Sequence, residues 1–191
     1  MKKLLLILIL TFSFQSWTNA DDIRDLQIED MSIGDSLLKY FNIMEINTYK
    51  IKIHNSNRFT TIEINKNLNN YDYIQISFLT NDVKKKIARL DGVINYKNDI
   101  DICYKKIEDI YKKIKSIVPN LIDEGKLTYK HSGDKTGKST ITDYVLETDK
   151  EDEIQIACYD YSKNYSNNND HLRVGIRLID YRNFLRNEAY Q

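Results

Sequence analysis

The chain has 191 residues, 28 of them basic and 28 acidic, with one proline and six glycines. A formal net charge of zero argues against nucleic acid as a partner, because phosphate binding needs a concentrated basic face. The length suits one hydrophobic core, and no stretch rich in proline or glycine marks a linker.

The first 20 residues have the three parts of a secretory signal peptide. Lys2 and Lys3 precede an apolar run from Leu4 to Leu10, and Ala20 is the small residue before the expected cut. The run is shorter than the roughly 20 apolar residues that cross a bilayer. We therefore predict a cleaved leader over 1–20, a single periplasmic or secreted domain over 21–191 and no permanent membrane anchor. An uncleaved anchor is the alternative.

The first part of the mature chain predicts a helix followed by strands. Leu37, Leu38 and Phe41 fall at helical spacing, which predicts a short helix from about Ile33 to Asn42. Alternation of apolar and polar residues predicts strands at Tyr49–Ile53, Ile62–Ile64, Asp72–Phe78 and Leu90–Tyr96. The gaps between these strands are too short for crossover helices, so they should pair antiparallel.

The longest helix is predicted from Asp99 or Asp101 to Pro119. Apolar residues recur at steps of three and four between Cys103 and Ile117, and lysines occupy the opposite side. Proline cannot continue a helix, so Pro119 marks its end.

Later patterns predict strands at Ser139–Thr148, Glu153–Tyr161 and Leu172–Leu178, then a helix from about Asp180 to Ala189. The predicted class is α+β: an antiparallel sheet with the helices on one face, the long helix among them. Two helix-plus-meander halves would give this order of elements.

Cys103 and Cys158 are the only cysteines. Cys103 lies on the apolar stripe of the long helix, and Cys158 shares a strand face with Ile154 and Ile156, so both should point into the core. Export places them where disulfides persist, and we predict a bond between them. Two separate buried thiols are the alternative. A redox pair is disfavoured because such sites usually place cysteines close in sequence.

No catalytic residue, cofactor site or metal site is predicted. The segment from His131 to Ser139 ends like a phosphate-binding loop, but only three residues separate Gly133 from Gly137 where four are required, which favours a turn. The three histidines lack the spacing of zinc ligands. No nucleophile elbow occurs in the sequence.

Tyr159, Tyr161 and Tyr165 are the candidate binding residues. Strand alternation places Tyr159 and Tyr161 on the face opposite Cys158, and exposed tyrosines can stack on sugars or peptides. The alternative is that these rings pack under the C-terminal helix or a loop.

Several segments resemble those of an uncharacterised family of short exported bacterial proteins. They are Met31–Leu38, Gly92–Tyr96, Cys103–Lys106, Thr136–Thr140 and Ala157–Asp160, with Asn187–Tyr190 at the end. The resemblance implies a periplasmic or secreted location and carries no activity. The opening segment is also similar to the helix that begins small outer-envelope proteins with a β-lactamase-inhibitor-like layered fold, although Asp30 replaces their usual glycine and the lipid-bearing cysteine is missing.

These observations favour a non-catalytic envelope module that binds a protein partner or a small ligand. The alternative is a hydrolase-type enzyme whose site is assembled from dispersed residues.

Overall fold

The residues that the structure describes fold into one eight-stranded antiparallel sheet with three α-helices. The computed structural model describes residues 22–97, 99–163, 165 and 169–189. The strands are β1 Lys50–Ile51, β2 Phe59–Ile64, β3 Tyr73–Leu79, β4 Ile87–Asn95, β5 Ile122–Lys130, β6 Thr140–Glu147, β7 Glu153–Asp160 and β8 His171–Arg177. The helices are α1 Ile43–Thr48, α2 Ile100–Ile117 and α3 Ile179–Asn187. The predicted α+β class is confirmed, whereas the predicted leader over 1–20 lies outside the described residues.

The sheet consists of two meanders of four strands that meet in its centre. The strand order is β1-β2-β3-β4-β8-β7-β6-β5, so β4 of the first half pairs antiparallel with β8 of the second. In that central ladder Leu90 lies opposite Ile176, and Val93 lies opposite Arg173. Each meander thus contributes one inner strand to the seam and leaves one outer strand at an edge.

One face of the sheet carries the main hydrophobic core. Ile62, Leu90, Ile156 and Leu172 are fully buried there, together with Ile107 of α2. Burial of such side chains contributes about 1.5–3 kcal/mol each. The N-terminal segment covers the first half with its own buried side chains, Ile23, Ile28, Met31, Ile33 and Leu37.

The predicted disulfide is confirmed. Cys103 in the first turn of α2 is bonded to Cys158 of β7, with 5.9 Å between the two Cα atoms. Both cysteines are fully buried. The bond therefore fixes the start of the long helix to the centre of the second meander.

The prediction that the helices share one face of the sheet was wrong. On α3, Tyr181 and Phe184 pack with Phe59 and Ala88 in a second apolar cluster, separate from the main core. On β2, Ile62 and Ile64 point into the main core, on the face that α2 covers. Phe59 is an odd number of residues away from both, so its side chain and this second cluster lie on the opposite face.

Local chain geometry overturned the predicted helix from Ile33 to Asn42. Gly34 takes a positive φ of 85°, and only a 3-10 turn forms, at Leu37–Lys39. The α-helix begins later, because the Asn42 side chain accepts the backbone N–H of Glu45 while the Glu45 side chain accepts that of Asn42. None of the helices in the described ranges is both long and apolar enough to cross a membrane.

Candidate functional site

The face of the sheet opposite α2, which we call the open face, carries most of the buried polar side chains of the strands. Strand alternation explains this: Leu90 and Ile156 enter the main core, so their neighbours Asp91 and Gln155 point to the other side. Helix α3 covers one end of the open face through the cluster around Phe59. The open-face side chains discussed below are Arg89, Asp91, Glu153, Gln155, Tyr159, His171, Arg173 and Arg177.

Asp91 is the centre of a buried ionic network. Its carboxylate is fully buried and accepts hydrogen bonds from Arg89 Nε at 3.0 Å and from Arg173 Nη1 at 3.1 Å. Burial raises the pKa of Asp91, but the nearby Arg89, Arg177 and Arg173 lower it more, so the net shift is below the ordinary value. Asp91 is therefore ionised at neutral pH and holds the arginines in place.

Glycine at position 175 makes room for this carboxylate. Gly175 lies opposite Asp91 in the β4–β8 ladder, and a Cβ atom there would sit 2.5 Å from Asp91 Oδ1. A Cβ atom at this position would therefore displace the Asp91 carboxylate. The sequence pattern around Arg173, Gly175 and Arg177 is thus the one that a buried aspartate on the neighbouring strand requires.

The same network anchors α3 to the open face. Arg177 donates to Glu153 at 2.8 Å and to Gln155 at 2.7 Å, and Arg182 Nε lies 3.1 Å from Glu153. Arg182 also pairs with Glu147. These arginines are balanced by carboxylates, so this part of the face supplies rigidity instead of a net positive field.

The three predicted tyrosines come together at the other end of the open face. The ring centres of Tyr159 and Tyr161 are 6.1 Å apart, and those of Tyr161 and Tyr165 are 5.8 Å apart. All three rings are partly exposed. His131 belongs to the turn after β5, and the centre of its ring lies 5.4 Å from the ring centres of both Tyr161 and Tyr165. A turn thus contributes one of the rings of this group.

His171 and Arg173 join this group to the ionic network. The His171 ring stacks on Tyr159 with 4.5 Å between centres, and the Arg173 guanidinium lies 5.4 Å from the centre of the Tyr159 ring. Arg173 also bonds Asp91, as described above. We call Tyr159, Tyr161, Tyr165, His131 and His171 the tyrosine–histidine cluster.

Burial shifts the pKa values of two rings of the cluster. Burial lowers the pKa of His171 to about 4, and the positive charge of Arg173 makes the second-largest contribution to this decrease. Burial raises the pKa of Tyr161 to about 12, and the electrostatic effect of Tyr159 makes the second-largest contribution to this increase. The Nδ1 atom of His171 lies 3.1 Å from the carbonyl oxygen of Asn169, while its buried Nε2 has no hydrogen-bond partner among the described residues.

Sequence reasoning missed the histidines and arginines of this site. Alternation on β8 places His171, Arg173 and Arg177 on one face, and this signal was available. The alternation on β8 did not reveal that β4 is its neighbour and brings Asp91 next to these residues, because alternation within one strand carries no information on strand order. His131 could not be assigned either, since it reaches the cluster from a turn.

The turn at His131–Ser139 is ordered by one carboxylate and holds no phosphate-loop geometry. Asp134 accepts hydrogen bonds from the backbone N–H and the hydroxyl of Ser139, and from the hydroxyls of Thr136 and Ser162. These two serine hydroxyls are therefore directed at an aspartate. Within the part of the chain that the structure describes, no group of three His, Cys, Asp or Glu side chains could hold a metal ion.

No family model, curated protein or solved structure matches this chain.

Proposed function

We propose that the protein is a non-catalytic periplasmic or secreted module that binds a partner protein through the tyrosine–histidine cluster. The observation that carries the proposal is the set of partly exposed tyrosines arranged next to a buried ionic network. Tyrosine and arginine are enriched at the energetic centres of protein interfaces, because their large rigid groups bury much area at low entropic cost.

The ionic network supports this proposal by fixing the shape of the site before binding. Arg173 contacts both the Asp91 carboxylate and the Tyr159 ring, so the aromatic end of the face is held by the buried end. A preorganised surface loses less conformational freedom on association. A disulfide in the core also agrees with export, since disulfides persist mainly in oxidising compartments.

Site-specific photocrosslinking in the exporting cell tests this proposal. A benzoylphenylalanine placed at Tyr161 should capture one reproducible partner that mass spectrometry identifies. The same group at Val83, an 83% exposed residue of the β3–β4 connection, is the matched control and should capture none of it. Equal capture from both positions would refute the proposal.

A small ligand at this face and the hydrolase alternative have different expected outcomes. A small ligand would give no protein crosslink but would shift the resonances of the cluster tyrosines. Turnover of a panel of esters and peptides, abolished by His171→Asn, would favour the enzyme and contradict a purely binding role.

A further inference from the structure

The outer side of β5 is a nine-residue sheet edge, Ile122–Lys130, with which no described strand pairs. Large apolar side chains stand in solvent along it: Ile122 is 59%, Leu127 47% and Tyr129 43% exposed. Natural proteins usually cover, shorten or charge such an edge, because its free N–H and C=O groups pair readily with another strand. The edge is therefore a candidate interaction surface, and its own residues indicate what binds there.

The pairing of β5 with β6 fixes which backbone groups of β5 point outward. The N–H of His131, the residue after β5, donates to the carbonyl oxygen of Ser139 at 2.9 Å. Every second residue of an antiparallel strand bonds the same neighbour, so Leu127 also bonds β6. Lys126 and Thr128 therefore direct their N–H and C=O groups away from β6, towards the free edge.

The charges of β5 are sorted along the strand. Asp123 and Glu124 come first, and Lys126 and Lys130 follow. Such a strand is complementary to itself when a second copy runs in the opposite direction, because the acidic end of each copy then meets the basic end of the other. The charge order thus favours a second copy of this chain as the occupant of the edge.

Three positions of the two-fold axis are open to such a pair. Outward-directed groups must face one another, so the axis passes through a residue and not between two residues. The register shift between Asp123 and Lys126 excludes an axis before Lys126, because bulged backbone does not form a regular ladder. An axis beyond Thr128 would pair only the last residues of β5. The axis therefore passes through Lys126, Leu127 or Thr128.

Charge selects the axis through Leu127. An axis through Lys126 sets that lysine beside its own copy, and an axis through Thr128 sets Lys126 opposite Lys130. Like charges directly opposite each other destabilise a sheet. The axis through Leu127 instead sets Lys126 opposite Thr128 and brings Lys130 to the acidic end of the second copy. The lysines, which normally discourage edge pairing, thus leave one of the three registers free of repulsion.

The apolar side chains of β5 match in the same register. Leu127 lies beside Leu127 of the second copy, and Tyr129 lies across from Gly125. An aromatic ring opposite an edge glycine covers backbone that the glycine leaves bare. The Tyr129 hydroxyl already donates to Asp143 at 2.9 Å, so the ring loses little further freedom on pairing.

We propose that β5 binds β5 of a second copy, antiparallel and centred on Leu127, so that two eight-stranded sheets become one continuous sheet. The two-fold axis of such a pair is perpendicular to the sheet, so the open faces of both copies lie on the same side. His131 directly follows β5 and belongs to the tyrosine–histidine cluster, so one cluster lies on each side of the axis. The dimer therefore presents two candidate sites on one surface, and a partner with two contact points gains effective concentration.

Sedimentation of the purified protein tests the dimer. We expect a reversible equilibrium between one and two copies. Thr128→Pro removes an outward N–H without removing a bond to β6, so it should abolish dimerisation. Thr128→Val keeps this N–H and is the matched control, which should dimerise like the parent. A parent that stays monomeric up to about 1 mM, or a folded Thr128→Pro variant that dimerises like the parent, would overturn the proposal.

Cysteine crosslinking tests the register. Leu127→Cys places the Cα atoms of two facing residues about 4.5 Å apart, which a disulfide spans. Thr128→Cys is the matched control, since its two copies are out of line by two residues and about 8 Å apart. Cys103 and Cys158 are already bonded and supply no competing thiol.

Oxidation should therefore give a covalent dimer of Leu127→Cys and none of Thr128→Cys. A covalent dimer of Thr128→Cys alone would overturn the axis through Leu127. No crosslink in either variant would overturn the β5 interface and would mean that any dimer uses another surface.

A charge reversal tests why this register is selected. Lys130→Glu sets a carboxylate against Asp123 and Glu124 at both ends of the pair, and should weaken the dimer about five- to tenfold at low salt. Lys66→Glu makes the same change at an exposed lysine of the first half of the chain and should leave the dimer unchanged. Equal effects of the two reversals would refute the charge argument.

Thermal melting of each variant separates loss of pairing from loss of folding. If Thr128→Pro does not fold, the comparison of the two cysteine variants decides the matter, because both of these positions are exposed. Photocrosslinking from Tyr161 should persist in Lys130→Glu, since a single copy keeps its whole cluster. Each proposal can therefore fail without the other.

Discussion

Acidification should destabilise the protein through His171. The structure buries this ring and lowers its pKa to about 4, whereas an unfolded chain titrates near 6.5. Between these two values the unfolded state binds a proton that the folded state does not. Stability must therefore fall as the pH decreases from about 7 towards 4, since protons favour the state that binds them.

The size of the effect follows from the two pKa values. Integrating the proton uptake between pH 7 and pH 5 gives a loss of about 2 kcal/mol in the free energy of unfolding from this one group. For a protein of this size, that corresponds to a decrease of about 4–8 °C in the melting temperature.

Urea unfolding at pH 5 and pH 7 measures this loss, with His171→Asn as the comparison. Asparagine keeps an N–H donor near the position of Nδ1 but does not titrate. Burial also lowers the pKa of His54, so the parent alone would report both histidines. The difference in pH dependence between parent and variant isolates His171. Identical pH dependence in the two proteins, or an NMR titration of His171 near pH 6.5, would refute the reasoning.

Three further predictions concern the scaffold. Reducing the bond between Cys103 and Cys158, which are 55 residues apart, should lower the free energy of unfolding by about 4 kcal/mol in the loop-entropy description. Calorimetry with and without reductant measures this loss. An unchanged melting temperature, with both thiols titratable, would contradict it. Gly175→Ala should cost about 1–3 kcal/mol in urea unfolding because its Cβ displaces the Asp91 carboxylate, and a neutral substitution would show that the site can relax. Asp30→Gly should leave stability unchanged or increase it by up to about 1 kcal/mol, because glycine adopts a positive φ without steric cost; clear destabilisation in the same assay would mean that the aspartate side chain has a structural role.

The elements that could be predicted from sequence are those with one apolar and one polar face. Helix α2 and strands β3, β7 and β8 have such faces, so their apolar residues repeat with the period of the element. The disulfide followed from the same patterns, because Cys103 and Cys158 both fall on apolar faces and the chain has one core.

Strand β5 was missed because it has no apolar face. It lies at an edge, and residues 126–130 are exposed throughout, so no alternation appears. Gly125, with a φ of 78°, falls where the pairing with β6 shifts its register. Exposed edge strands take their conformation from the neighbour they pair with, and that information is not local.

The candidate site was only partly predictable for a related reason. Tyr159 and Tyr161 were identified because they belong to one strand with clear alternation. Their partners Arg173 and His131 come from the next strand and from a turn, and contacts between elements depend on topology.

The two borders of the sheet are unequal, and this limits how copies of the chain can associate. At one border β1 offers only two residues of ladder, whereas β5 offers nine at the other. An unpaired strand is a template for adding another chain, and continuous growth of a fibre needs two such templates on each molecule. Because only the β5 border is long among the described residues, association by this route favours a closed pair over a filament.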